Sequence, residues 1–245
     1  MLSWLALGVS ITCFGTVLEA KCNPAHSYPR LLPDLATHIS QPSLPTLIRH
    51  FLYDQLNPDG PLTSSEVPLD ACPLVSGPIS VFHSAVATFF APSDNSGIWG
   101  MRHERIRSTP VWRKKAPRRD CAYAINDQNK EGFLGMSVVR IHLLFSFGHL
   151  GVEYPCALVE WYERTGQRPD EDIGMWVVKP ETRGRHAEPV LSVLHLDCLL
   201  RGAHLIPVYG QQPLPPKFSY TYSLNCFEAF YVNKYIDNHA NVTIF

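Results

Sequence analysis

The stretch SVVRIHLLFSFGHLGVEYPCALVEWY, Ser137 to Tyr162, is the most informative about the architecture of this chain. Its first half alternates with a period of two, which is typical of a half-buried β-strand. One face carries Val139, Ile141, Leu143, Phe145 and Phe147, and the other carries Val138, Arg140, His142, Leu144 and Ser146. Gly148 to Gly151 form a turn, and YPCALVEWY, Tyr154 to Tyr162, returns as the antiparallel partner. The stretch therefore predicts a long β-hairpin.

Further short apolar segments lie on both sides of this hairpin. CAYAI, Cys121 to Ile125, precedes it, and MWVVKP, VLSVLHLD and HLIPVYG follow it. Together they make about six short strands between residues 120 and 210, the number found in a small barrel or curled sheet. The sequence thus predicts an α+β fold, with a small bent antiparallel sheet or SH3-like β-barrel and flanking helices. Packing is expected to bury the side chains of Ile141, Leu143, Phe145, Leu158, Trp176 and Leu194.

Helical spacing of apolar residues predicts three flanking helices. PTLIRHFLYDQL predicts a helix over 46–56, with Pro45 at its first position and Asn57-Pro58 at its end. VFHSAVATFFAP predicts a helix over 81–90, capped by Ser80 and ended by Pro92. A stripe of Leu224, Phe227, Tyr231 and Tyr235 predicts a C-terminal helix over 223–238 that docks on the barrel.

The predicted organisation has four parts. Residues 1–22 form an apolar leader and 23–75 a Pro-rich linker with one helix. Residues 76–210 hold a helix, a basic segment and the barrel-like domain, and 211–245 a linker and the docking helix. Because the leader resembles the apolar part of a signal peptide, a secreted or membrane-anchored binding protein is the alternative. The leader lacks the basic start that signal peptides have. The seven scattered cysteines favour reduced core thiols, whereas a secreted chain should pair six of them.

Motifs for catalysis are missing from the sequence. It has no nucleotide-binding glycine loop and no serine nucleophile elbow, and in HERIR, Arg107 stands where a metalloprotease needs its second histidine. Asp170, Glu171 and Asp172 are contiguous in a loop, so they cannot all point at one metal site. We therefore predict a chain that is not an enzyme and has no metal, cofactor or small-molecule substrate. An unfamiliar active site built from Asp94, His103 and Glu104 is the competing hypothesis.

The segment GMRHERIRSTPVWRKKAPRRD, Gly100 to Asp120, concentrates positive charge in a chain whose net charge is −1. Such a local patch is typical of proteins that contact nucleic-acid phosphates, and Trp99 and Trp112 flank it. A nuclear import signal, a solvated loop, or a strip neutralised by the acidic loop at 170–172 are the alternatives. If Met101 to Arg107 is helical, Arg102 and Arg105 share a face. The predicted DNA-binding residues are Arg102, Arg105, Arg107, Arg113, Lys114, Lys115, Arg118 and Arg119.

Several ordered segments together resemble one family. They include VFHSAVATFFAPSD, GMRHERIRSTPVWR, FSFGHLGVEYPCALVEWY, PDEDIGMWVVKPE, VLHLDCLLRGAHLIPVYG and FEAFYVNKYIDNHA. From about Leu44 to His239 the chain resembles the C-terminal region of fungal Plavaka-type transposases of the CACTA group, related to tails found with Kyakuja-Dileera-Zisupton elements. In that family the strand-cutting carboxylates belong to an RNase H-like core upstream of this region, so no catalytic residue is carried over. The resemblance implies a nuclear, non-catalytic module or remnant that engages DNA or a partner protein.

Overall fold

The computed structural model describes residues 17–20, 24–91, 99–211, 213–214 and 216–245, without the side chains of 17–20, 220 and 243. Within these ranges the strands are Val17–Ala20 (β1), Ile79–Phe82 (β2), Ser84–Phe90 (β3), Met101–Thr109 (β4), Arg118–Arg119 (β5), Cys121–Ile125 (β6), Met136–His149 (β7), Val152–Arg164 (β8), Val177–Pro180 (β9), Thr182–Arg183 (β10), Glu188–Pro189 (β11), Leu191–His195 (β12), Leu199–Ala203 (β13), Leu205–Pro207 (β14) and Phe230–Val232 (β15). The helices are Leu32–His38 (α1), Leu44–Leu56 (α2), Ser223–Cys226 (α3) and Asn238–Ile244 (α4). Short 3₁₀ turns cover Leu69–Ala71, Gly132–Gly135, Leu196–Cys198 and Tyr220–Tyr222.

The predicted hairpin, β7 and β8, organises the fold. The two strands pair from Val138↔Tyr162 to His149↔Val152. The first half of β7 pairs with β6, and its second half pairs with β2. On the other side, β8 pairs with β12 and then with β9. The two halves of this long hairpin therefore pair with different strands.

The half of the hairpin that holds the start of β7 and the end of β8 lies in a nearly closed antiparallel sheet. Its strand order is β13-β6-β7-β8-β9-β15-β14. The strands at the two ends, β13 and β14, follow each other in the chain and are separated only by His204. Closure removes exposed strand edges. The prediction of an α+β fold with a bent, barrel-like antiparallel sheet is confirmed.

Three clusters of buried side chains hold these layers together. The helices α1 and α2 cover one face of the other half of the hairpin, where Leu35 and Leu52 of the helices join Phe147 of β7 in one cluster. The sheet formed by β1, β3, β4 and β5 covers the opposite face through residues such as Phe89 and Ile106. The barrel interior is filled by Tyr123, Phe133, Val138, Tyr162, Trp176, Phe230 and Ile244, among others. Of the six side chains predicted to be buried, five are buried and Leu194 is half-buried.

A β-bulge at His142 changes which residues share a face of β7. The register moves from Ile141↔Val159 to Leu143↔Leu158, so His142 is the extra residue. Val139 and Ile141 face the β3–β4 side, whereas Leu143, Phe145 and Phe147 face the helices. The prediction that all five share one face is therefore wrong. An inserted residue reverses the alternation, and both faces of the strand are covered.

The predicted helix over 81–90 is also wrong, because this segment forms β2 and β3 on either side of His83. The first four β3 residues, Ser84 to Ala87, are buried without interruption. A strand covered on both faces reads as a continuous apolar run, which periodicity cannot separate from a buried helix. The helix expected from Met101 to Arg107 is likewise a strand, β4, paired with β3 over most of its length.

The ends of the chain differ from the predicted organisation. The Pro-rich segment 23–75 holds two helices instead of one, since Pro33 lies in the first turn of α1, where proline is tolerated. The predicted α2 helix is confirmed and begins two residues earlier. The single C-terminal helix over 223–238 is wrong: α3 has four residues, and Phe230–Val232 forms β15 between β9 and β14. Sheet pairing there overrides the helical spacing. Within the segment predicted as leader, Val17–Ala20 pairs with β3.

Candidate nucleic-acid interface

The basic segment forms a β-hairpin with an exposed turn. Its arms are β4 and β5, which pair at Ser108↔Arg119 and Thr109↔Arg118. Its turn is closed by the Lys115 amide, which donates to the Trp112 carbonyl at 2.9 Å. Arg113 and Lys114, the two central residues, have φ values of +51° and +60°. Positive φ at both central positions with this bond defines a type I′ turn.

This turn is strained, because it places two long L-residues in the left-handed region. Glycine and asparagine are the residues that type I′ turns favour, whereas other L-residues there cost roughly 1–2 kcal/mol each. Arg113, Lys114 and Lys115 are all exposed. We refer to Trp112–Lys115 as the basic turn. Strained backbone of this kind concentrates at functional sites, and it motivates a functional hypothesis here.

Trp112 supports three guanidinium groups at the base of the basic turn. The Cζ atoms of Arg107, Arg113 and Arg118 lie 4.8, 5.5 and 5.0 Å from its ring centroid. Burial and the neighbouring charge of Arg118 lower the pKa of Arg107. Trp112 therefore holds the arginines by cation–π contacts, and its ring is not free to stack on a base. Trp99, at the opposite end of β4, has 92% of its surface exposed.

One carboxylate organises this hairpin. Asp120 accepts from Arg118 Nε at 2.7 Å and from Arg118 Nη2 at 3.2 Å, and also from the Arg107 backbone amide at 2.9 Å. Asp170, in the acidic loop, instead accepts from the amides of Asp172 and Ile173 in its own loop. The acid that pairs with the basic segment is thus Asp120. Residues 105–120 hold seven cations and one acid, a net charge of +6.

The eight predicted site residues fall into three groups. Because β4 is a strand, Arg105 and Arg107 share one face, and Arg102 lies on the other. The prediction that Arg102 shares a face with Arg105 is therefore wrong. Arg113, Lys114 and Lys115 form the basic turn, and Arg118 and Arg119 form β5. The structure brings seven of the eight to the hairpin and leaves Arg102 toward the far end of β4.

A network reaches from β5 into the hairpin β7–β8. Arg119 Nη1 donates to His142 Nδ1 at 3.0 Å, and His142 Nε2 lies 2.8 Å from Glu160 Oε2. Because the guanidinium donates to Nδ1, the ring is neutral with its proton on Nε2, which donates to Glu160. Burial lowers the pKa of His142, and the positive charge of Arg119 adds to this, against the opposing bond to Glu160. Sequence reasoning missed His142 because its partners, Arg119 and Glu160, lie 23 and 18 positions away in the chain and only folding brings them to it.

The depressed pKa of His142 makes stability depend on pH. The unfolded chain takes up a proton near pH 6.5, whereas the folded ring resists it, so the unfolded state binds more protons below that pH. We expect the contribution of His142 to the free energy of unfolding, measured by urea titration, to be fully present above about pH 6.5. It should decrease as the pH drops toward the lower pKa of the folded state. His142→Gln should flatten this decline, and His186→Gln, in the exposed β10–β11 turn, should not. Equal slopes in the two variants would contradict the expectation.

A second network is buried beneath β4. The Arg201 side chain, 3% exposed, contacts Asp237 through Nη1 at 3.0 Å and Nη2 at 2.5 Å, and lies 3.3 Å from Glu104 Oε2. Burial raises the pKa of Glu104. Burial also acts to raise the pKa of Asp237, but the hydrogen bonds from Arg201 and Ala240 outweigh it and hold that pKa low. This network links β4, β13 and α4 and is structural.

The competing enzyme hypothesis names Asp94, His103 and Glu104, and the structure describes the last two. His103 and Glu104 are neighbours on a strand and point to opposite faces: His103 Nδ1 lies 2.9 Å from Thr88 Oγ1, and Glu104 contacts Arg201. Asp94 lies outside the described residues. In the part of the chain that the structure describes, no group of three or more His, Cys, Asp or Glu side chains is arranged to hold a metal ion.

The cysteines and helices bear on the secreted or membrane-anchored alternative. Cys72, Cys121, Cys156 and Cys198 are buried free thiols, and Cys226 is an exposed one. Five of seven cysteines are therefore unpaired, which leaves only Cys13 and Cys22, outside the described residues, and excludes a framework of three disulfides. Among the described helices, none has the length and apolar character needed to cross a membrane.

Comparison with known proteins adds no identity to this geometry. The chain matches no family model, no curated protein and no solved structure. The resemblance to Plavaka-type transposases therefore stays a prediction from the sequence, and the interpretation of the hairpin depends on its own charges, contacts and backbone.

Proposed function

We propose that this chain is a non-catalytic module of a transposase-derived protein that engages DNA through the β4–β5 hairpin. One observation carries the proposal. Three guanidinium groups are gathered around Trp112 at the base of an exposed, strained basic turn, with Asp120 as their carboxylate. Like charges held this close repel each other, and a phosphate backbone relieves that repulsion. The nucleus, implied by the resemblance, is the compartment in which the module would act.

The shape of the site suits a phosphate backbone more than a defined base sequence. Arg113, Lys114 and Lys115 of the basic turn are exposed, so their cations can reach phosphates. Contacts between cations and phosphates release counterions and do not read sequence. We therefore expect weak binding that tolerates changes of DNA sequence and decreases steeply with salt.

A turn variant tests the proposal without disturbing the fold. Arg113→Asn combined with Lys114→Gly keeps a type I′ turn, because Asn-Gly is its favoured pair, and removes two cations. Relief of strain at both positions, less the roughly 0.5–1 kcal/mol entropic cost of glycine, should raise the free energy of unfolding by about 1–3 kcal/mol. Affinity for a short duplex of mixed sequence should fall, and the slope of log K against log salt should decrease by about 0.9 for each phosphate that the variant no longer engages. Fluorescence anisotropy over a salt series measures this slope.

The matched control removes two cations from another exposed hairpin. Arg183 is the last residue of β10 and Arg185 lies in the turn between β10 and β11, and both are exposed. Arg183→Gln combined with Arg185→Gln leaves the net charge of the protein equal to that of the turn variant, so it should keep the wild-type slope. An equal decrease of slope in both variants, or no decrease in either, would refute binding through the basic turn.

A further inference from the structure

Beside the basic turn lies a cleft of about 490 Å³, which we call the β5 cleft. One wall comes from the hairpin and includes Trp112, Ala116 and Pro117. The facing wall comes from the C-terminal segment and includes Thr221, Ser223 and Leu224. This volume lies within the range of clefts that bind small molecules, roughly 300–1,000 Å³.

The β5 cleft is strongly cationic. Five of its lining residues are cations, Arg113, Lys115, Arg118, Arg119 and Arg140, against one acid, Asp120, a net charge of +4. The neighbouring cleft beneath β4 has three cations, Arg105, Arg118 and Arg119, against two acids, Glu104 and Asp120, a net charge of +1. Positive charge is thus concentrated in the β5 cleft and not in its neighbour, although residues of the C-terminal segment line both.

Protein contacts hold several of these cations in place. Arg118 is fixed by Asp120 and Trp112, and Arg119 by His142. Arg140, whose side chain is 13% exposed, donates to Asn225 Oδ1 at 2.5 Å and lies 4.0 Å from Glu160. Donors held in position by the fold lose little conformational freedom when an anion binds. Arg118, Arg119 and Arg140 are therefore held more firmly than the exposed Lys115, which lines the cleft from the basic turn.

The walls of the β5 cleft combine this charge with apolar surface. Ala116, Pro117 and Leu224 present hydrocarbon, and Thr221 and Ser223 carry hydroxyl groups that can donate to an anion. One nucleotide has a similar division, with an anionic phosphate at one end and at the other a flat base whose ring faces can pack on hydrocarbon. Bases in a duplex are stacked and paired, so only an unpaired nucleotide can enter a concave site.

We propose that the β5 cleft binds one nucleotide of an unpaired DNA strand, with its phosphate on Lys115, Arg119 and Arg140. The inference rests on the proposed function, since the basic turn brings DNA to the mouth of the cleft. It adds a preference for single-stranded DNA that the turn alone does not provide. The base lies between the apolar surface of Ala116 and Pro117 on one wall and Leu224 on the facing wall.

A pair of substitutions at Ala116 tests the site. Ala116→Glu places a carboxylate in the cleft, and Ala116→Gln adds a neutral side chain of nearly equal size. Isothermal titration with thymidine 5′-monophosphate should show binding that Ala116→Glu weakens about tenfold or more, because like charges brought together at a binding site repel. Ala116→Gln should stay within about threefold, because it adds bulk without charge. Thymidine, which has no phosphate, should bind far more weakly than the monophosphate.

The source of the nucleotide is resolved by competition. An unphosphorylated oligothymidine strand should displace the monophosphate more effectively than a blunt duplex of the same length, because the duplex can reach only the cations of the basic turn. Equal effects of Glu and Gln at Ala116, or failure of the strand to compete, overturn the inference. If Ala116→Glu unfolds in urea more readily than Ala116→Gln, the pair Ser223→Glu and Ser223→Gln repeats the test from the facing wall. The two proposals fail in different measurements. If the basic turn does not bind duplex DNA, the turn variant keeps the wild-type salt slope, whatever the titrations with the monophosphate show.

Discussion

Replacing Asp237 with alanine is expected to lower the free energy of unfolding by about 3 kcal/mol, because it strands a buried guanidinium. Arg201 is 3% exposed, and Asp237 is its bidentate partner at 2.5 and 3.0 Å. Glu104, the remaining carboxylate, lies 3.3 Å from Nε and has a pKa raised by burial, so it compensates poorly. Urea or thermal unfolding of the purified chain measures the decrease.

Asp237 also begins the last helix. Its Oδ1 accepts from the Ala240 amide at 2.7 Å, which caps α4. Removal of such a cap costs about 1 kcal/mol. Asp237→Asn removes the charge but keeps an oxygen that can accept from the Ala240 amide and from Arg201 Nη1, so it should be less destabilising than Asp237→Ala.

An exposed ion pair provides the control for this prediction. Lys179 Nζ and Glu163 Oε1 lie 3.1 Å apart, with about half of each side chain exposed. Glu163→Ala should change stability by less than about 1 kcal/mol, because solvent screens exposed charges. If Asp237→Ala were no more harmful than Glu163→Ala, the buried network would not hold α4 to the barrel.

The second large effect is expected for Gly135→Ala. A Cβ added at Gly135 would lie 2.5 Å from the Lys130 carbonyl oxygen and would also clash with the carbonyl oxygen of Asp127. Both obstacles are backbone, so no side chain can rotate away. The Gly135 carbonyl also accepts from the amides of Asn126 and Asp127, which ties the loop down. We expect a decrease of about 3 kcal/mol in the free energy of unfolding, the upper range for overpacking.

Gly210→Ala is the matched control for this substitution. Gly210 is exposed and has open space where a Cβ would be added. Its substitution should leave stability within about 0.5 kcal/mol, as most surface changes do. A tolerated Gly135→Ala would mean that the loop between β6 and β7 can move away, and that β7 does not need this close approach to begin at Met136.

Local sequence predicts those elements that are covered on one face only, because their apolar residues then recur with a clear period. The β7–β8 hairpin and the helix α2 are of this kind, since alternation indicates the first and 3.6-residue spacing the second. The strand β3 is buried on both faces and loses its alternation, so its apolar run has the appearance of a helix. The bulge at His142 has no local signature, since only the pairing of β7 with β8 reveals the extra residue.

The same division applies to the candidate site. Its charge is visible in the sequence, because seven of the eight predicted cations lie on one hairpin within residues 105–120. The sequence could not show that Asp120 neutralises Arg118, that Trp112 supports three guanidinium groups, or that Arg102 lies apart. Each of these depends on a turn type and a strand register. The turn type here requires a strained backbone conformation, which persists only because surrounding contacts hold it in place.

An antiparallel, barrel-like core and one strongly basic segment could be inferred from the amino-acid sequence, because hydrophobic period and charge are properties of consecutive residues. Where that charge is available depends on the folded chain. Pairing of β5 with β4 turns the basic segment into a hairpin, and the C-terminal segment, which lies about 100 residues further along the chain, supplies the second wall of the β5 cleft. Contacts between distant residues depend on packing, and no local pattern encodes them.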